Sequence, residues 1–222
     1  MSRTPSFWLI VWLFGVCLCG FRVGSAAEPN EYVPYSPTIT NSIGIVLKRI
    51  SKPGADPEIF LGAYEISQKQ WLTVMTNNPS RHVGLNLPVE FMTYLDAVMF
   101  AKGIPHGPTE KYRLPTTNEW LTAYAGVSNP RLCQKVEVLE TTNIFRTVVN
   151  SNGFYGMMDN VSEWCSDWVN RPSEGLVKAI MGNSYLDSEL RAPRISNSYA
   201  YDYASSFLGI RIVLERSGHH QN

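Results

Sequence analysis

Three carboxylates stand four residues apart in the stretch GFYGMMDNVSEWCSDW (153–168): Asp159, Glu163 and Asp167. On a helix that spacing puts all three on one face, where they can hold a cation or act as acid and base. In a loop the same side chains accept hydrogen bonds from backbone N–H groups or arginine and fix the chain. Gly153 and Gly156 open the stretch and favour the loop and its structural role. Ion-pair networks gather acids without any catalysis. Other chemistries leave no mark. His82, His106, His219 and His220 include no pair at zinc-helix spacing, no Cys-x-x-Cys exists, and all four read as surface or tail residues. No Gly-x-Ser-x-Gly elbow, phosphate loop or dinucleotide loop is present.

The elements that must position these residues follow an export signal. Arg3, an apolar run from Phe7 to Phe21 and the small residues Gly24 and Ala26 read as a signal peptide over 1–26. The run is shorter than the roughly 20 residues that span a bilayer. Its removal leaves about 17 basic against 19 acidic residues, with no basic stripe, which excludes nucleic acid as partner. No second long apolar run follows, so no membrane span is expected after cleavage. The mature chain is expected to be secreted, periplasmic or held in the cell envelope. Export permits Cys133 and Cys165 to pair, but Cys165 sits between Trp164 and Ser166 and reads as a buried free thiol.

Residues 27–43 read as a polar linker, 44–215 as one domain and 216–222 as a polar tail. GIVLKRI (44–50) and EIFLGAYEI (58–66) flank a turn cluster and predict a strand hairpin. Three short helices are expected after Ser67 (with Gln70), Thr93 and Thr116 (with Glu119), whose oxygens can accept from unpaired N–H groups at a helix start. Later strand candidates are EVLE, NIFRTVVN, LVKAIMGNSY and FLGIRIVLE (207–215). Helices grouped early and strands late give an α+β domain rather than a doubly wound sheet.

Several segments, in order, resemble one family: LGAYEISQKQW, NPS, LPVEF, YRLPTTNEW, NGFYGMMDNVSEWCSDW, MGNSY and LGIRIV. They are similar to the formylglycine-generating enzyme (sulfatase-modifying factor) family over about 44–215. The resemblance implies an irregular fold related to C-type lectin-like domains, with little regular secondary structure. It makes Arg113, Glu119, Asn160, Glu163 and Trp164 framework residues. Active members of the family convert a sulfatase cysteine to formylglycine with oxygen and a copper ion on two thiolates, soft ligands suited to Cu(I). The matching positions here are Asp187 and Ala192, and no cysteine follows Cys165. The resemblance therefore implies a member without copper and without that oxidase activity.

Calcium-binding relatives place their ligands at positions matching Gly156, Asp159, Val161 and Glu163, with a second site beginning at Asn143 and Ile144. Calcium takes six to eight oxygens, so the first set implies a weak site at most. The leading expectation is a pseudoenzyme that binds a protein partner or small ligand, or acts as an accessory. The aromatic stretch SNSYAYDYASS (196–206) is a recognition loop or a core-edge strand. The rival is a divergent enzyme, for protein cysteine oxidation or other oxidoreductase chemistry, with a site built from Asp187, Glu189, Arg191 and Arg194. A third reading is a structural protein of the cell envelope. Asn160-Val161-Ser162 is a glycosylation sequon in a framework position.

Overall fold

Residues 44–66 form the hairpin that their turn cluster implies. The computed structural model describes residues 37–124, 140–187 and 197–218, within the unit Pro34–Asn222. Strands β2 (Val46–Arg49) and β3 (Glu58–Gly62) pair antiparallel, with Leu47 opposite Gly62. Strand β1 (Thr38–Thr40) adds to β2 at the edge, so the sheet begins inside the stretch read as polar linker. Three capped helices follow: α1 (Gln68–Trp71), α2 (Tyr94–Gly103) and α3 (Thr117–Tyr124). Ser67 and Gln70 close a reciprocal cap, as do Thr93 and Asp96. At α3 the N–H of Glu119 donates to Thr116 Oγ1 (3.1 Å) and that of Thr116 donates to Glu119 Oε2 (2.8 Å).

Strand β4 (Glu110–Arg113) joins the first sheet, and β5 (Ser162–Arg171), β6 (Gly175–Met181), β7 (Asn197–Tyr199) and β8 (Leu208–Gly209) make the second. Strand β9 (Val213–Arg216) returns to the first sheet between β3 and β4. Thus FLGIRIVLE is not one strand: it feeds both sheets and leaves Arg211 in the crossing between them. NIFRTVVN is not a strand either; Ile144–Arg146 is a single 3-10 turn capped by Asn143. LVKAIM is β6, whereas EVLE falls outside the described residues except Glu140. The C-terminal tail starts later than expected, since Arg216 is in β9 and the Ser217 N–H donates to Thr109 O.

Successive side chains of a strand face opposite ways, and here each face is covered. Phe60, Trp164 and Leu214 enter one buried cluster with Trp71 and Phe100. Their chain neighbours Leu61, Cys165 and Val213 enter a second with Trp120 and Met181. Each fully buried aliphatic or aromatic side chain stabilises the fold by roughly 1.5–3 kcal/mol. The two sheets with short helices are the α+β architecture expected from the sequence. Among the described residues no helix is long and apolar enough to cross a membrane.

Candidate functional site

The acidic stretch 153–168 is half loop, half strand. Glu163 lies on β5, fully buried, and both its oxygens are occupied. Oε1 accepts from Arg211 Nη2 (2.8 Å), and Oε2 accepts from Arg211 Nε (3.0 Å) and Trp120 Nε1 (2.7 Å). Arg211 completes its donors on two backbone oxygens, Gly62 O (2.8 Å) and Tyr155 O (2.6 Å). This buried cation therefore ties β3, the 153–156 loop and β5 together. An unpaired charge here would cost several kcal/mol, and full pairing is what permits it. Asp167 is placed elsewhere: its Oδ2 accepts from Thr117 N (2.7 Å) at the start of α3.

Glu65, unmarked by the sequence reading, is the second buried carboxylate of this corner. It accepts from Asn160 Nδ2 (2.7 Å) and Val161 N (3.2 Å). Burial, and then the charge of Glu163, push its pKa well up. Gly156 has φ +67°, and a Cβ there would come within 3.0 Å of the Glu65 carboxyl. The glycine is thus required by the acid it packs against. Asn160 also has positive φ, 69°, which asparagine tolerates better than most residues. Its Oδ1 accepts from Thr142 N (2.7 Å) while its amide serves Glu65, so the sequon nitrogen is buried in use. Burial raises the pKa of Asp159, whose Oδ2 accepts from Val148 N (3.3 Å) and whose Oδ1 is buried without a partner.

Arg113 and Glu119 form the second framework pair, bidentate at 2.7 and 2.6 Å, with Glu215 at 3.0 Å from Arg113 Nε. Burial pushes Glu119 up, but hydrogen bonds from Arg113 and Thr116 outweigh it and leave its pKa lowered. Asp187 folds back on its own turn, its Oδ2 accepting from Ser184 N (2.6 Å) and Ser184 Oγ (3.0 Å). Ala192, Glu189, Arg191 and Arg194 lie outside the described residues, as do Cys133, His219 and His220. Beside the Asp187 turn, Tyr185 shares a hydrogen bond with Ser206 (2.9 Å) and meets the His82 ring edge-on. His82 is not a plain surface residue: its Nδ1 stands 3.4 Å from the buried Glu90. Burial raises the pKa of Glu90.

A third arrangement is aromatic. Lys178 of β6 is buried, donates to Ser166 O (2.8 Å), and sits 3.8 Å from the Trp168 ring centre and 4.4 Å from that of Tyr94. Burial lowers its pKa; cation–π contacts offset part of that cost. Tyr199 of β7 stacks on Tyr203 at 4.1 Å. Trp168, Tyr201 and Tyr203 keep 55, 49 and 36% of their surface exposed.

Residues 130–216 match the sulfatase-modifying factor enzyme 1-like domain family. Over those residues the chain is similar to that family. Chaperone protein LppX of Paenibacillus barcinonensis is 27% identical, over 52% of this chain and 64% of that relative, so the chain spans less than two-thirds of the relative's length. Two solved structures share the fold. Treponema denticola variable protein 1 is 19% identical, with a TM-score of 0.66 over 81% of this chain and 99% of that one. PvdO from Pseudomonas aeruginosa is 16% identical, with a TM-score of 0.63 over 81% of this chain and 98% of that one.

Within this domain, the residues matched to calcium ligands do not fit that ion. Glu163 is occupied by Arg211 and Trp120, and Gly156 has no side chain to offer an oxygen. Asn143 Oδ1 accepts from Phe145 N (3.0 Å) and Ile144 O accepts from Thr147 Oγ1 (3.0 Å). The partnerless Oδ1 of Asp159 is one oxygen where six to eight are needed. Among the described residues no cluster of three or more His, Cys, Asp or Glu side chains can hold a metal. The copper positions fit no better, since the Asp187 carboxylate is a hard ligand turned onto Ser184. Cys165, the free thiol among the described residues, is fully buried, and burial pushes its pKa well up.

Glu65 and Arg211 were legible in one respect. Each is a charged residue inside an apolar run, GAYEIS and GIRIV, and such a residue needs a buried partner. Nothing local marks Lys178, whose partners come from α2 and β5.

Proposed function

We propose that this domain is an exported accessory protein that binds a protein partner through its aromatic face and does not make formylglycine. The observation that carries the reading is the set Tyr94, Trp168, Tyr199, Tyr201 and Tyr203, grouped about Lys178 and the Tyr199–Tyr203 stack. Rigid aromatic side chains with exposed area make strong contacts at a low ordering cost. The relative whose name is a chaperone supports an accessory role. The replacement of the copper thiolate position by Asp187 supports the loss of the oxidase.

The test immobilises the mature domain, and separately its Trp168→Ala/Tyr203→Ala variant, against an envelope extract of its own cells. A discrete protein held by the first and lost by the second is expected. Equal retention by both would remove the aromatic face from the reading. Incubation with a Cys-x-Pro-x-Arg peptide, copper, reductant and oxygen should leave the cysteine mass unchanged; conversion to formylglycine would refute the second half. The rival, a divergent enzyme near Asp187, draws support from His82, Tyr185 and Ser206 gathered beside that turn. It predicts chemistry that a His82→Gln substitution abolishes without loss of fold.

A further inference from the structure

His82 is held from three sides. Its N–H donates to Glu90 Oε1 (2.8 Å), as does that of Arg81 (2.7 Å). Its C=O accepts from Gln68 Nε2 (2.6 Å), and its ring meets Tyr185 edge-on at 5.6 Å. The Glu90 side chain is wholly enclosed, and its Oε2 is buried without a partner among the described residues. Burial raises its pKa, while the two N–H groups and His82 oppose the rise.

The two ring nitrogens are in different surroundings. Nδ1 is buried, 3.4 Å from Glu90 Oε1, and makes no hydrogen bond among the described residues. Yet 24% of the side chain is exposed, so the open edge of the ring is the one that carries Nε2. A carboxylate beside Nδ1 favours the tautomer with the proton there and leaves the Nε2 lone pair outward. This is the arrangement of an activated imidazole with an acid behind it, a contact that is often long until substrate binds.

A hydroxyl pair lies beside the ring. Tyr185 Oη and Ser206 Oγ share one hydrogen bond of 2.9 Å. Two hydroxyls carry two protons, so one is left to donate to a carbonyl oxygen as it gains charge. Val83 and Leu186, the chain neighbours of His82 and Tyr185, are exposed and offer apolar surface to an acyl chain.

We propose that His82 is the nucleophile of an esterase site for short apolar acyl esters, with Glu90 positioning its ring and the Tyr185–Ser206 pair serving the carbonyl oxygen. Nε2 bonds to the carbonyl carbon, the ester C–O bond breaks, and the alcohol leaves with its electron pair. The Nδ1 proton is shared with Glu90 while the acyl group is held. Water then adds to the acyl carbon, the N–C bond breaks and the imidazole is restored. Ester and water give acid and alcohol, with nothing oxidised or reduced. The site lies where the second reading above puts an enzyme and rests on that reading, but its chemistry is hydrolytic.

The experiment has two arms, both on the mature chain at about pH 8, where an ordinary imidazole is neutral. In the ¹⁵N-labelled protein, two-bond ¹H–¹⁵N correlation should place the His82 proton on Nδ1 and the lone pair on Nε2. Hydrolysis of 4-nitrophenyl butyrate should be saturable, should lose its saturable part in His82→Gln and should be unchanged in His106→Gln. Glu90→Gln keeps an acceptor for both N–H groups and removes the charge; kcat rather than KM should fall, by at least about tenfold. Tyr185→Phe serves where Glu90→Gln does not fold: it should lower kcat severalfold and leave the His82 tautomer unchanged. The Nδ1 tautomer without saturable hydrolysis would overturn the esterase alone. A proton on Nε2 would overturn it together with the positioned base on which the second reading draws. An unchanged kcat in a folded Glu90→Gln or Tyr185→Phe variant would also overturn the proposal.

Discussion

The two halves of β5 do opposite things with similar residues. Residues 162–165 are all buried, while 166–171 are half-buried or exposed. Both halves carry a tryptophan and an acid. Trp164 and Glu163 are enclosed, with Glu163 locked to Arg211 and Trp120. Trp168 and Asp167 reach outward, one stacked by Lys178 and the other capping α3. Between them the register against β6 shifts, from Trp164 opposite Ile180 to Trp168 opposite Lys178. An irregularity of this kind re-aims the side chains that follow it. A framework and a display surface can therefore share one strand, because a bulge changes which face a residue joins.

The largest effect should come from the enclosed half. Arg211→Leu leaves Glu163 buried and unpaired and is expected to cost about 3–5 kcal/mol, read by urea denaturation. A loss below about 1 kcal/mol would mean that the inner half is not the framework described. In the outer half, Lys178→Ala removes a cation held between two rings and should cost about 1–2 kcal/mol by the same measurement. Trp168→Ala, at a half-exposed position, should change stability by less than about 1 kcal/mol while abolishing partner retention. If it unfolds the domain instead, the contrast between the halves fails.

Peptide mass mapping after iodoacetamide should find Cys165 unmodified in the native protein and modified in urea, since its thiol is enclosed and held protonated by burial. The smallest effect tests the loop that precedes the strand. Burial holds the pKa of Asp159 above its unfolded value. The stability linked to this proton is thus complete below about pH 3.9 and is lost as pH rises through the folded pKa. Asp159→Asn keeps the acceptor for Val148 N–H and should be the more stable protein at neutral pH. The difference should vanish in acid; a wild type that is more stable at pH 7 would contradict it.

Local signals in the sequence were read correctly where the physics is local. Ser67, Thr93 and Thr116 cap helices because a side-chain oxygen within three residues satisfies an N–H that no other tertiary contact needs to supply. The 44–66 hairpin follows from two β-rich runs around one turn cluster. β5 was not legible as a strand, since SEWCSDWVNR is polar and its alternation is broken by the register shift. The acids at 159, 163 and 167 shared a spacing but not a site. One lies in a loop, one in the buried strand half and one in the outer half, so their separation in sequence carried no chemistry.

The sequence by itself determined the α+β class, the helix starts, the family resemblance and the absence of any cysteine after Cys165. These rest on residue type and short spacing, which the linear chain contains. Tertiary structure decided the rest: that Arg211 serves Glu163 from 48 residues away, that Glu65 shares that corner, and that Lys178 gathers Tyr94 and Trp168 into an aromatic face. Each needs groups from separate strands brought into contact. A buried charge can choose its partner only once the fold has excluded water from around it.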